Sequence, residues 1–485
     1  MRNVTRRSFI TGAAASAFSL AAWQRAHGAN EDMRVAVVGT GGRGGAHISG
    51  YAPEKGEKLK GVRLVALCDV DSLHLDAAAA GLEKRGVKTE KFGNYRKLLE
   101  SKEVDAISIA TPNHQHSIQA IWAMQAGKDV YCEKPISHNV WEGRRVVEAA
   151  AVSGKICASG TQSRSNPGMI DAVKFIHDGK LGKIQYVRGL CYKRRASIGK
   201  VDGPQMPPKT VDYDQWCGPA RMLPLTRKKL HYDWHWAWET GNGDLGNQGI
   251  HQMDISRWIL GENTLSPKIF SIGGRFGYID DGETPNTMIT IHDYASAPLI
   301  FEVRGLPGKP AKEGEKEEMD ELKGCKVGVI VQCEGGYMAI PSYNSAKAYD
   351  TDGKVIHEFK GEGNHFKNFI EAVQNRTPKT LNASILEGHL SSALCHTGNI
   401  SLQLGKASSQ EAIREKLKGN AVAQETFESV NMHLQTNLVD LNKSKLILGE
   451  FLTMDPGTET FVGNVEASKL LKREYRAPYT IPEKF

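Results

Sequence analysis

Hydrophobic and polar positions follow two regimes along this chain. From Arg34 to Ser159, short apolar runs recur with helix-period segments between them. Arg34–Val38, Arg63–Cys68, Asp105–Ala110, Asp129–Cys132 and Lys155–Ser159 read as strands. Ser117–Ala126, closed by Gly127, and Val140–Val152, followed by Gly154, read as helices. Strands alternating with helices predict βαβ units and a parallel sheet, an α/β domain over 33–160. After Gly160 the pattern changes. Lys183–Lys193, Lys268–Ile279, Thr284–Tyr294, Leu299–Leu306, Gly328–Ile340 and Ser345–Phe359 read as strands without long helices between them. Thr351-Asp352-Gly353 inside the last is a hairpin signal. Residues 161–405 are therefore expected to be an α+β domain with a mostly antiparallel sheet. A tail over 406–485 follows, with helix-like segments Gln410–Lys418 and Ala421–Gln435.

Charge and composition add the start of the chain to this picture. The 485 residues carry a net charge of +7, and four of those charges (Arg2, Arg6, Arg7, Arg25) fall in the first 28 residues, leaving only +3 for the rest. That is too weak a bias for a nucleic-acid partner. No apolar run reaches the roughly 18 residues that would span a bilayer. Arg6-Arg7-Ser8-Phe9, the apolar stretch Ile10–Trp23 and the small residues after it form a leader rather than a fold element. The paired arginines resemble a twin-arginine signal, so 1–28 are expected to direct folded protein to the periplasm, a route suited to a chain that acquires a cofactor first. The eight cysteines include no CxxC pair, and no metal site is expected.

The candidate chemistry begins where the first strand ends. Gly39-Thr40-Gly41-Gly42-Arg43-Gly44 follows Val38 directly, and Asp69 ends the second strand, 25 residues past Gly44. Strand, GxGxxG, helix and a distal acid make up the fingerprint of a Rossmann dinucleotide site. Gly39 allows the tight turn, Gly41 lets the backbone approach a pyrophosphate and Gly44 lets helix and strand pack closely. Asp69 accepts from a ribose 2′-hydroxyl and repels a 2′-phosphate, which favours NAD over NADP. Arg43 is placed to stack on adenine or meet a phosphate. Ligands of such sheets lie beyond the carboxyl ends of the strands. Two polar clusters sit there: Thr111-Pro112-Asn113-His114-Gln115-His116 and Glu133-Lys134-Pro135. Thr111, Pro112, Asn113, His116 and Glu133 thus join the cofactor candidates, and Lys134 is expected to face the nicotinamide half of the cleft.

Together these motifs resemble the Gfo/Idh/MocA oxidoreductases over most of 33–400, Glu133-Lys134-Pro135 being the specific part. The resemblance implies that Lys134 touches substrate and ribose hydroxyls and assists proton transfer, and that Pro135 follows a cis bond. It also implies a substrate loop at Gly160–Pro167, with Arg164 and Lys193 as substrate contacts. The tail is similar to the C-terminal extension of an exported branch of the family, where packing or homo-oligomer assembly is expected.

Two segments of the second domain carry further candidates. His231–Glu239 holds three of the eight tryptophans, Trp234, Trp236 and Trp238. If extended, they share one face, and the segment is either a core plug or a sugar platform with His235 and Trp236 against substrate. Gly241–Asp254 is a glycine-rich turn running into a helix. A helix starting near Asn247 places Asn247, His251, Asp254 and Trp258 on one face, and His251 is the side chain there suited to move a proton. The stretch resembles the family's D-x-x-x-H-x-x-D motif, with Asn247 in place of its first aspartate.

These readings leave three functions open. The first is a periplasmic oxidoreductase with tightly bound NAD, acting on a sugar, polyol or glycoside hydroxyl through Lys134 and His251. The second, implied by one branch of the family, is a glycoside hydrolase or lyase that oxidises the sugar transiently. The third is a sugar-binding protein that keeps the fold without catalysis.

Overall fold

The computed structural model describes residues 32–56, 58–310 and 316–485; the expected leader lies outside the described residues. Six parallel strands form the first sheet: β1 (Met33–Val38), β2 (Val62–Cys68), β3 (Glu90–Phe92), β4 (Ala106–Ile109), β5 (Asp129–Cys132) and β6 (Cys157–Ser159), in the order β3-β2-β1-β4-β5-β6. β4 and β5 are buried on both faces, as mostly apolar strands between two helical layers are. β3 was not foreseen, because Glu90-Lys91-Phe92 is short, polar and at the sheet edge, where burial imposes no pattern. The strand order reverses between β1 and β4, which opens a crevice at their carboxyl ends. Helix Val140–Ser153 starts on an Asn139 side-chain cap and stops at Gly154, as the glycine predicted.

The second sheet holds β7 (Ile184–Tyr192), β8 (Lys268–Gly274), β9 (Thr287–Asp293), β10 (Pro298–Arg304), β11 (Val327–Cys333), β12 (Gly336–Ile340), β13 (Ser345–Tyr349) and β14 (Val355–Lys360). Its order is β14-β13-β12-β11-β7-β10-β9-β8, antiparallel except for the β7–β10 pair. The expected run 328–340 is a hairpin rather than one strand, folded at Glu334-Gly335, and 345–359 is the hairpin that Asp352-Gly353 signals, turning at 350–353. Helices Gly249–Leu260 and Ile385–Gln403 cover the face toward the first domain, and the apolar core runs from Val187 and Leu299 through Ile255 and Ile259 to Leu394.

The tail extends this sheet. β15 (Lys406–Ser408) and β16 (Leu446–Leu448) continue it beyond β8, and β17 (Leu452–Asp455), which pairs with β18 (Thr460–Phe461), also joins β8. Leu471 enters the core of the second domain and Ile481 that of the first, so the tail straps the two together. All eight cysteines are buried free thiols, behaving as small apolar side chains. Among the described residues no helix is long and apolar enough to cross a membrane.

Candidate active site

A cavity of about 610 Å³ opens at the carboxyl ends of β1, β2, β4 and β5, roofed by segments of the second domain. Gly39, Gly41, Gly42 and Asp69 line one end; Glu133, Lys134, Asn247, His251 and Tyr343 line the other. The glycine loop is sterically obligatory. Gly39 holds φ +82°, with Thr111 N 2.7 Å from where a Cβ would stand, and a Cβ on Gly44 would lie 1.9 Å from Gly39 O. Helix Arg43–Tyr51 begins at Gly42 with no side-chain cap, and nothing lies within 4 Å of a Cβ added at Gly42. Free N–H groups therefore face an open, glycine-walled space, which fits an anionic pyrophosphate.

Several cofactor candidates act on the loop rather than in the cavity. Thr40 does not line it; its N–H and hydroxyl donate to Asp69 Oδ2 at 2.7 and 3.0 Å. Asp69 thus braces the loop while remaining part of the cavity wall. Arg43 does not turn toward the adenosine end: its Nε donates to Glu133 Oε1 at 2.7 Å. Pro112 and Thr111 line the cavity, and Asn113 bridges to Asn242 of the second domain. His116 is held with one ring nitrogen 2.7 Å from Thr111 O and the other 2.7 Å from Pro135 O, joining the two polar turns.

Glu133 organises the far end. Its buried carboxylate meets Arg43, His47 Nε2 at 3.1 Å and the Lys134 N–H at 3.2 Å. Burial alone would raise its pKa, but the His47 hydrogen bond and the Arg43 charge outweigh that and hold it well below the carboxylate range. Lys134, ahead of a cis bond to Pro135, donates from Nζ to Asn247 O at 2.7 Å. Burial lowers its pKa from 10.5 to about 8, against the opposing pull of Glu133. His251 sits with its ring centroid 4.7 Å from that of Tyr343, and burial pushes its pKa well below 6.5. Burial thus favours its neutral form.

Other expected contacts are placed differently. The helix does not start at Asn247: a short helix, Gly243–Asn247, ends there and a second begins at Gly249. Asn247 consequently contributes its main-chain carbonyl to Lys134. Arg164 and Asp254 do not line the cavity. They form a buried pair, Nε to Oδ2 2.9 Å, with Ser391 donating to Asp254 and Trp258 5.1 Å from the guanidinium. A charged pair sealed in this way holds the loop at 160–167 to the helix. Lys193 is exposed and donates to Gln248 Oε1 at 2.9 Å. The tryptophan segment is not extended; Asp233–Trp236 is a 3₁₀ turn. It splits the two readings of that segment between residues: Trp236 is buried under Arg195, whereas Trp234 and His235 line the cavity. Tyr343, Gln162, His74 and His231 line it too and were missed, Tyr343 because it lies in a connection between β12 and β13 that carries no motif.

With this geometry in place, comparison with known proteins becomes specific. Residues 33–161 match the model of the Gfo/Idh/MocA oxidoreductase family, NAD-binding Rossmann fold, and 175–284 match the model of that family's C-terminal alpha/beta domain. Over these two segments the chain is similar to the Gfo/Idh/MocA family. Among relatives, inositol 2-dehydrogenase 4 of Saccharopolyspora erythraea is 28% identical over 241 residues, 50% of this chain and 57% of that protein. Levoglucosan dehydrogenase of Pseudarthrobacter phenanthrenivorans is 23% identical over 282 residues, 56% of this chain and 65% of that one. The match thus spans little more than half of the inositol dehydrogenase. Among solved structures, the WlbA dehydrogenase from Bordetella pertussis, in complex with NADH and UDP-GlcNAcA, superposes with a TM-score of 0.54 at 21% identity. It covers 75% of this chain and 94% of its own, so the two share a fold over that length.

Proposed function

We propose that this chain is an NAD-dependent oxidoreductase that acts on a hydroxyl of a sugar, polyol or glycoside and keeps its cofactor tightly bound. The observation that carries this reading is one continuous cavity with a glycine-walled anion cradle and Asp69 at one end and a half-buried lysine of pKa about 8 at the other. The relatives named inositol 2-dehydrogenase and levoglucosan dehydrogenase support a sugar or polyol substrate.

The residues present fit the cofactor. Main-chain N–H groups at Gly41–Arg43 would hold the pyrophosphate and Asp69 the adenosine ribose. Bound there, NAD would supply the hydride acceptor. The chain's own task is to place the substrate carbon and move one proton. Lys134, neutral in a substantial fraction of molecules near neutral pH, takes that proton from the substrate hydroxyl. His251 stays neutral and orients the same hydroxyl by hydrogen bonding, backed by Tyr343. Arg43 and His47 keep Glu133 ionised, which limits how far the Lys134 pKa falls.

The leader supports export in folded form by the twin-arginine route, and the strapped two-domain unit is proposed to assemble as a homo-oligomer. The reading is tested by incubating the purified chain with NAD and a panel of sugars, polyols and glycosides while following NADH absorbance and product release. Hydroxyl oxidation that is lost in Lys134→Ala is expected. Glycoside cleavage without net NADH would replace net oxidation by transient oxidation, and inertness toward the whole panel despite bound NAD would overturn the substrate class.

A further inference from the structure

At the end of the cavity far from Lys134, three metal-ligating side chains from two domains meet. Asp71 and His74 stand on the first turn after β2, and His231 arrives from the second domain, 160 residues away in the chain. Asp71 is the N-cap of helix Ser72–Glu83. Its Oδ1 accepts from Leu73 N at 3.0 Å, which fixes the carboxylate and leaves Oδ2 facing both imidazoles. His231 Nε2 is 2.9 Å from Oδ2 and His74 Nδ1 is 3.8 Å from it, with the two rings 4.4 Å apart. The three ligand atoms all lie within 4.8 Å of one another.

A hydrogen bond explains only one of these approaches. His231 donates to Asp71, but His74 Nδ1 lies beyond hydrogen-bond distance from Oδ2 and has no hydrogen-bond partner among the described residues. Tetrahedral zinc, with bonds of about 2.0–2.2 Å to nitrogen and oxygen, needs ligand atoms roughly 3.3 Å apart. The observed spacings bracket that figure. The two histidine side chains are 33% and 41% exposed, so they have room to close, while the buried aspartate does not need to move. The neighbouring backbone is already docked: Thr210 O accepts from Ser72 N at 2.9 Å and Val70 O from Asp212 N at 2.9 Å. Little ordering remains for an ion to impose. Two imidazoles and one carboxylate suit a late first-row divalent cation, and three protein ligands leave a position open. That position faces the cavity beside the glycine loop, since a Cβ on Gly41 would lie 2.8 Å from His74 Nδ1.

We propose that Asp71, His74 and His231 form a zinc-type divalent-metal site that ties the segment around residues 205–236 to the first domain at the mouth of the cavity. The site itself needs no cofactor. Its consequence, closure of the adenosine end over a bound dinucleotide, rests on the functional reading above. Direct titration of the metal keeps the two separable.

The test uses the full chain, stripped with a chelator, dialysed and titrated with ZnCl2 against a chromophoric competitor, with and without added NAD. One Zn2+ per chain is expected, with a dissociation constant of about 1 µM or lower. His74→Ala and His231→Ala should each weaken binding at least tenfold, while the exposed His357→Ala should not. Zinc should also raise the thermal midpoint of the wild type but not of the two variants, and CoCl2 should give the visible absorption of a low-symmetry site. Failure of the wild type to bind zinc without NAD, or wild-type affinity in both His74→Ala and His231→Ala, would overturn the proposal. Failure of NAD to bind beside normal zinc binding would overturn the cofactor reading alone.

Discussion

The pKa of Lys134 makes the sharpest prediction about the reaction. An ordinary lysine at about pH 7.5 is neutral in roughly one molecule in a thousand, whereas one lowered to about 8 is neutral in about a quarter of molecules. Burial therefore enlarges the population of usable base by about two orders of magnitude. Because the neutral amine is the active form in the oxidation direction, kcat/KM should rise with pH and level off above an inflection near 8. Lys134→Arg retains a cation of similar reach that does not lose its proton. It should reduce kcat by about 10²- to 10⁴-fold, the range expected for loss of a general base, with dinucleotide binding kept. Glu133→Gln supplies the sign control. The Glu133 charge raises the Lys134 pKa, so its removal should move the inflection to lower pH. Initial rates across about pH 6–10, with bound dinucleotide quantified at each point, give the answer. A flat profile, or Lys134→Arg turnover within threefold of wild type, would refute the assignment of the proton to Lys134.

Three other residues give independent outcomes. Gly44→Ala places a Cβ 1.9 Å from Gly39 O and must displace the glycine loop, so dinucleotide affinity by calorimetry should fall at least tenfold. Asp254→Ala leaves Arg164 without one of its two carboxylates in a buried setting and should lower unfolding free energy by about 3–5 kcal/mol in urea titrations; a raised KM with unchanged stability would restore Asp254 to the substrate. Asp69→Ser removes the charge that repels a 2′-phosphate and should shift the ratio of NAD to NADP affinities toward NADP by tenfold or more. An unchanged ratio would reduce Asp69 to its bracing contacts with Thr40.

Legibility in the sequence followed burial. β1, β4 and β5 are mostly apolar because both of their faces are covered, and a run of that kind marks itself. The glycine loop was equally plain, since Gly39 and Gly44 have no room for any side chain. β3 left no trace because three edge residues with little burial obey no pattern. Lys134 and His251, which line the cavity, were legible as candidates because each belongs to a local motif. Arg164 and Asp254 were misplaced for a related reason: spacing reveals that two residues share a helix face but not whether that face meets a cavity or another side chain. The break at Gln248 had the same effect on Asn247, turning a side-chain candidate into a carbonyl acceptor. Tyr343 and the pairing of His74 with His231 depend on segments far apart in the chain, and no local pattern encodes such meetings.

The central claim is that the cavity holds a dinucleotide against Lys134. The most direct measurement is to denature the purified, extensively dialysed protein and identify by mass spectrometry what it releases. The account predicts close to one NAD or NADH per chain. A protein that releases nothing and takes up neither NAD nor NADP when offered would contradict it.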